Sequence, residues 1–329
     1  MYNFEEIYFM NELQQLLLSS MPLWITVDGY RKLMLTAFPL TGEKKSENTN
    51  LSSDILEYLK NHTMYQWQTH CAISKLMMSV NDDINITDEY SSEELQDNTI
   101  AYHRVWGPVL ADSYWHFSSK QLEKDIIAAE ANPSITSHLI HVNSPGGEAW
   151  YLDRLSETMR AAQKPMTVIY ESTCCSAAYH IACHGRNIYA LTNNDFVGCI
   201  GTMCSFYDFQ PFFEKLGIKK VEAKATNSTL KNKVSDDLID GKPENYIKNI
   251  LDPLNNQFLA EVKSQRKKIC NLDNSAPVLQ GETYYTDDAI EIGLADGKKS
   301  FIEAVAESAA LGKEYSDSLK LKNSTYNFV

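Results

Sequence analysis

Residues 137–171, SHLIHVNSPGGEAWYLDRLSETMRAAQKPMTVIYE, decide the fold. SHLIHVNS (137–144) reads as a strand and is followed by Pro145, Gly146 and Gly147. AWYLDRLSETMRAAQ (149–163) is an amphipathic helix, and MTVIYE (166–171) is a second strand. A strand, a helix and a strand in so short a span predict two parallel neighbours joined by a crossover.

The same alternation extends in both directions. Upstream, IAYHRVWGPVL from Ile100 is a strand, and Ser118 or Ser119 caps the helix KQLEKDIIAAEA, with Glu123 placed for its first turn. Downstream come a short helix at 175–183, short strands in NIYALT and VGCIGTMCSF, a helix at 208–216 and a strand in IKKVEAK (218–224). A long helix is expected over 243–266, with Ile247, Ile250, Leu251, Leu254, Phe258 and Val262 on one face. The expected fold is α/β, with a mainly parallel sheet and flanking helices.

The ends differ from this core. Residues 5–19, the stretch GYRKLMLTAF after Asp28, and 51–59 predict short helices. NDDINITDEYSSEELQDN (81–98) is acidic and poor in large apolar groups, and is expected to be a partly disordered linker. The predicted organisation is therefore a helical N-terminal module (1–80), the linker (81–98), a main domain (99–312) and a loosely held polar tail (313–329).

Of the 329 residues 43% are hydrophobic, enough for a sizeable core, and the net charge of −13 argues against nucleic acid or an acidic membrane as a partner. The most apolar stretch, LLLSSMPLWITV (16–27), is too short to span a bilayer and lacks the basic flank of a secretory signal, so no membrane anchor is expected. Seven cysteines, odd in number, without a CxxC pair and clustered in apolar surroundings, predict free thiols of a reducing, cytoplasmic compartment.

Three stretches can carry chemistry. In NSPGG (143–147) two glycines at a strand-to-helix turn leave backbone N–H groups able to hold an anion or a developing oxyanion. In ESTCCSAAYHIAC (171–183) Ser176 stands at another strand-to-helix junction, with the Ala177 N–H directed the same way and small neighbours that admit a peptide backbone. A serine nucleophile needs a base. No histidine follows His184, whereas KATNSTLKNK (224–233) offers Lys231 and Lys233, either of which can serve once desolvated. HIACH (180–184) has metal-ligand spacing, but Ile181 replaces the glutamate of HExxH and no third ligand is evident, so neither a metal nor a cofactor is expected.

Together with FFEKLGIKKVEAKATNSTLKNK and LQGETYYTDDAIEIGLADG, these stretches resemble the signal peptide peptidase A family of serine proteases, in the Clp protease/crotonase superfamily. The resemblance covers about 98–308 and is strongest to the phage and prophage capsid-maturation proteases of that family. It implies a Ser–Lys dyad of Ser176 and Lys231, with Lys233 as the other candidate base, and oxyanion donors on the Gly146–Gly147 backbone and the Ala177 N–H. It also implies a protein substrate, of capsid or scaffold type, and a homo-oligomer. The family's lysine-orienting serine falls on Cys199 in VGCIG, and a thiol is a weak donor and acceptor. Thr229, Ser228 and Thr202 are the alternative hydroxyls. Two other functions are weighed beside the protease: a non-catalytic assembly or scaffolding protein on the same fold, and a coenzyme A-binding enzyme of the crotonase kind, against which the lysine segment counts.

Overall fold

The computed structural model describes residues 23–25, 55, 59–77, 84–205 and 207–326. Its elements run β1 (Leu23–Ile25), α1 (Met64–Met77), β2 (Ile86–Thr87), β3 (Thr99–Trp106), α2 (Ser119–Ala131), β4 (Ile135–Ser144) and β5 (Gly146–Glu148). Then follow α3 (Leu152–Ala161), β6 (Met166–Cys175), α4 (Ala177–Ala182), β7 (Asn187–Ala190), β8 (Phe196–Gly198), α5 (Gln210–Lys215) and α6 (Lys233–Ile239). The chain continues through α7 (Glu244–Tyr246), a π-helical turn (Ile247–Leu251) and α8 (Asp252–Gln265), and closes with β9 (Thr283–Tyr285), α9 (Thr286–Ile292), β10 (Gly297–Lys298) and α10 (Phe301–Tyr326).

The sheet is mainly parallel, as the alternation predicts. Its order is β10–β7–β6–β4–β3–β2, with β8 added beside the end of β6 and β9 antiparallel to β8. β3, β4 and β6 are buried along most of their length, and polar residues such as His103, His138 and His141 are buried among their apolar ones. Ser118 is the cap of α2, its hydroxyl accepting from the Gln121 N–H at 3.2 Å. Glu123 takes no part in the cap; its carboxylate instead binds Tyr151, Arg154 and Thr158 of the facing chain.

Several boundaries differ from expectation. The acidic stretch is not a linker where it is described: β2 pairs in parallel with β3, Ile86 and Tyr90 are buried, and the Tyr90 hydroxyl donates to the Tyr102 carbonyl. A few apolar residues suffice there because β3 supplies a ready sheet edge. Ile73 of α1 joins Ile86, Ile100, Tyr102, Leu139 and Val305 in one core cluster, so the main domain begins well before residue 99. The tail is helical: α10 runs unbroken from Phe301 to Tyr326 and packs on β4, with Gly312 close against the Thr136 and Ser137 side chains, while most of 313–322 is exposed. The segment 218–224 is not a strand; it is irregular and exposed, for among the described residues no sheet edge lies alongside to accept its backbone hydrogen bonds. The helices expected over 5–19 and after Asp28 lie outside the described residues, as does most of 51–59.

Candidate active site

The C-terminal ends of β4 and β6 define the site. Ser144 stands opposite Cys174 in their register, so Gly146–Gly147 and Ser176 leave the sheet side by side, and β5 packs against α4. Open parallel sheets place ligands at this end of their strands.

β6 reaches that point by changing partners. Residues 167–170 pair with β7 and residues 173–175 with β8. At the switch the register with β4 jumps, and Ser172 adopts a φ of 62°. Asp195, buried at the bend, accepts from the Ser172 N–H at 2.7 Å, the Thr192 N–H at 2.6 Å and the Thr192 hydroxyl at 2.9 Å. This positioning carboxylate is not legible in the sequence, where Asp195 follows NN in what reads as an ordinary turn.

Ser176 then occupies a backbone conformation that side chains avoid, with φ 55° and ψ −121°. Holding a non-glycine residue there costs about 1–3 kcal/mol. Two bonds fix it: the Ser176 N–H donates to the Gly198 carbonyl at 2.8 Å, and the His180 N–H donates to the Ser176 carbonyl at 2.9 Å. The residue is fully buried, yet among the described residues its Oγ has no hydrogen-bond partner. An unpaired buried hydroxyl is itself unfavourable by about 1–3 kcal/mol. Neither feature is what a serine chosen for core packing would carry.

The neighbours are sharply constrained. Gly146, at φ 100°, donates its N–H to the Ser144 hydroxyl at 3.2 Å, so that donor is engaged. Val109 pairs along one edge of β5: its N–H donates to the Gly146 carbonyl at 3.0 Å, and its carbonyl accepts from the Glu148 N–H at 2.8 Å. This turns the Gly147 N–H and C=O to the opposite edge. A Cβ on Gly147 would sit 2.1 Å from the Val109 carbonyl oxygen, so only glycine fits. Gly147→Ala is expected to destabilise the fold by about 2–4 kcal/mol, since both clashing groups are backbone, as read from urea denaturation.

Cys199 follows Gly198, which stands opposite Cys175, and so lies beside Ser176. It has φ 52° and donates its N–H to the Glu282 carbonyl at 2.8 Å. Burial pushes its thiol up to about 11, and burial likewise raises the Cys174 and Cys175 thiols. All three are neutral thiols near pH 7, and so lack the thiolate that makes a cysteine reactive.

Lys231, Lys233 and Thr229 lie on an exposed stretch and are not brought to Ser176 within this chain. Lys233 Nζ reaches the Asp237 carboxylate at 2.8 and 2.9 Å. Among the described residues Lys231 is held through its backbone, its N–H donating to the Ser228 carbonyl at 3.1 Å. Ser176, Gly147, Ala177 and Cys199 are thus assembled, and the lysines are not.

His180 and His184 serve the helix that follows the serine. Burial lowers His180 to about 3. Burial also works to lower His184, but Cys183 and Glu261 outweigh it and hold the imidazole up at about 10, with Nε2 2.9 Å from the Glu261 carboxylate. Burial would raise Glu261, yet His184, Gln265 and Arg160 hold it down at about 2. The stability contributed by Glu261 is present above 4.5 and lost as pH falls toward about 2. That from His184 is complete below 6.5 and lost as pH rises toward about 10. The melting temperature lost in Glu261→Gln is therefore expected to be greatest between pH 4.5 and 6.5 and to shrink on both sides, in thermal scans across pH. Among the described residues, no group of three or more His, Cys, Asp or Glu could hold a metal ion.

A strained, buried serine beside a glycine strand, at the C-terminal ends of a parallel sheet, defines a candidate nucleophile site on an α/β scaffold. The sequence model described as Peptidase family S49 matches residues 158–315, which include Ser176, Cys199 and both lysines. A Methanocaldococcus jannaschii protein described as a candidate protease is 26% identical over 174 residues, covering 51% of this chain and 53% of that protein. The chain thus spans about half the length of that curated relative. Among solved structures, a candidate enoyl-CoA hydratase/isomerase from Acinetobacter baumannii is 13% identical, with 64% of this chain and 77% of that chain covered and a TM-score of 0.35. A ClpP1 mutant from Listeria monocytogenes is 12% identical, with 62% and 94% covered and a TM-score of 0.35. Among the described residues no helix is long and apolar enough to cross a membrane.

Proposed function

We propose that the chain is a serine endopeptidase in which Ser176 attacks the substrate carbonyl and a lysine of the 224–233 segment, Lys231, takes its proton. The observation that carries this is the Ser176 hydroxyl, buried and unpartnered on a strained turn. Support comes from the S49 match across the serine and the lysine segment. The Gly147 and Ala177 N–H groups are the oxyanion donors in this scheme, and Gly146 shapes the turn. Acylation forms the bond from Oγ to the carbonyl carbon and expels the amine with the proton carried by the lysine; water then releases the acyl group.

The lysine comes from a second copy. The stretch 207–230 exposes Tyr207, Phe212, Phe213, Leu216, Val221 and Leu230, too much apolar surface to leave in water. Docking of this arm on a neighbouring protomer would bury it, supply the missing strand partner for 218–224 and desolvate Lys231 beside a foreign Ser176. The substrate is a protein, and a capsid or scaffold protein of a phage head is the one the sequence resemblance favours.

A fluorophosphonate probe with tryptic mapping tests this scheme. Labelling on Ser176, lost in Lys231→Ala, supports the dyad. Lack of labelling at every protein concentration would favour the non-catalytic assembly protein, a function with which the exposed lysines are also compatible.

A further inference from the structure

β5 has two edges, and both are occupied. Val109 takes one. The other is paired, antiparallel, with β1: Leu23 stands opposite Glu148, Trp24 opposite Gly147 and Ile25 opposite Gly146. β1 also packs against α4, the helix that Ser176 opens. Because the Val109 bonds turn the Gly147 N–H and C=O outward, these two groups face the backbone of Trp24.

We infer that the outer edge of β5 is a strand-accepting edge for an extended peptide and that residues 23–25 of this chain occupy it, masking the site. This rests on the serine-protease function proposed above, since Gly147 there supplies an oxyanion donor. Three features mark β1 as an exchangeable occupant. It is only three residues long and forms a two-stranded sheet with β5, apart from the eight-stranded sheet. Two-stranded pairings of this kind are marginal in water. Its partner lies more than a hundred residues away in sequence, so no tight turn holds the pair and closure of a long loop opposes it. Finally, main-chain pairing to a sheet edge is largely indifferent to side chains, so a substrate strand can replace it.

The test uses the full chain and two proline variants. The N–H of Trp24 points at Gly147, whereas that of Leu23 points away. Trp24→Pro therefore removes a bond to β5, and Leu23→Pro does not. Amide hydrogen exchange at Gly147 is expected to rise about tenfold in Trp24→Pro, to stay near wild type in Leu23→Pro, and to slow again when the synthetic peptide SMPLWITVD (residues 20–28) is added to Trp24→Pro. Fluorophosphonate labelling of Ser176 should rise with the exchange and fall with the peptide. Equal exchange in wild type and Trp24→Pro, or an equal effect of the two prolines, would overturn the inference. So would faster exchange with labelling unchanged and no protection by the peptide. If the exchange results hold while Ser176 is never labelled in any variant, the strand-accepting edge stands and the serine-protease function fails.

Discussion

Replacing Ser176 by glycine is expected to abolish proteolysis and to stabilise the protein at the same time. The activity loss should be at least about a thousandfold, because what remains without a nucleophile is binding and oxyanion stabilisation alone. The stability gain has two sources. At φ 55° and ψ −121° the backbone mirrors the extended region and suits glycine, so relief of strain contributes about 1–3 kcal/mol. Removing a buried hydroxyl without a partner contributes about 1 kcal/mol more. Glycine's greater freedom in the unfolded chain takes back roughly 1 kcal/mol. Ser176→Ala keeps the strain and loses only the hydroxyl, so it should be inactive and slightly more stable than wild type. Urea denaturation of the three proteins decides. A core serine would behave in the opposite way: both variants would lose stability and neither would lose activity.

Much of the sheet was legible because its signal is local. The strands around 100–106, 137–144 and 166–171 are short stretches rich in β-branched and aromatic residues, bounded by turn residues or helices, and that local pattern suffices to mark them. The candidate site at Ser176 was legible for a related reason: a hydroxyl among small residues at a strand-to-helix junction is a local pattern. What escaped the sequence depends on partners distant along the chain. β2 looks like linker until the edge of β3 is beside it. Asp195 matters only because β6 bends at Ser172, which the register with β4 decides. The end of α10 reads as a polar tail because 317–322 are exposed and bring no buried face to the core, although the chain there is helical. The predicted strand at 218–224 fails for the converse reason: its β-branched Ile218 and Val221 favour a strand, but the edge that would satisfy it is not found among the described residues. The structure also sharpens the pair of glycines. Gly147 faces outward and Gly146 is turned to Ser144, a distinction that NSPGG alone cannot express.

Lys231→Ala is expected to be as inactive as Ser176→Ala, and a mixture of the two to recover activity. Among the described residues the Ser176 hydroxyl has no partner and Lys231 is exposed, so a dyad needs either a large movement of the 207–232 arm or a second protomer. The two routes differ in a countable way. If each site takes its serine from one copy and its lysine from the next, an equal mixture joins an intact serine to an intact lysine in about a quarter of sites, and activity returns to about that fraction. If the arm folds back on its own chain, every site in the mixture lacks one member, and no activity returns. Lys233→Ala separates the candidate bases. Lys233 is held by the Asp237 carboxylate, so freeing it for catalysis would break an ion pair, whereas Lys231 carries no such tie among the described residues. Near wild-type turnover in Lys233→Ala, with loss in Lys231→Ala, assigns the base to Lys231; the reverse pattern moves it to Lys233. Arm docking adds one further condition. Phe212→Asp and Phe213→Asp should weaken subunit association and activity together in sedimentation and peptidase measurements, while leaving the fold of the isolated chain unchanged, because both rings are exposed there. Loss of association with full activity retained would return the lysine to its own chain.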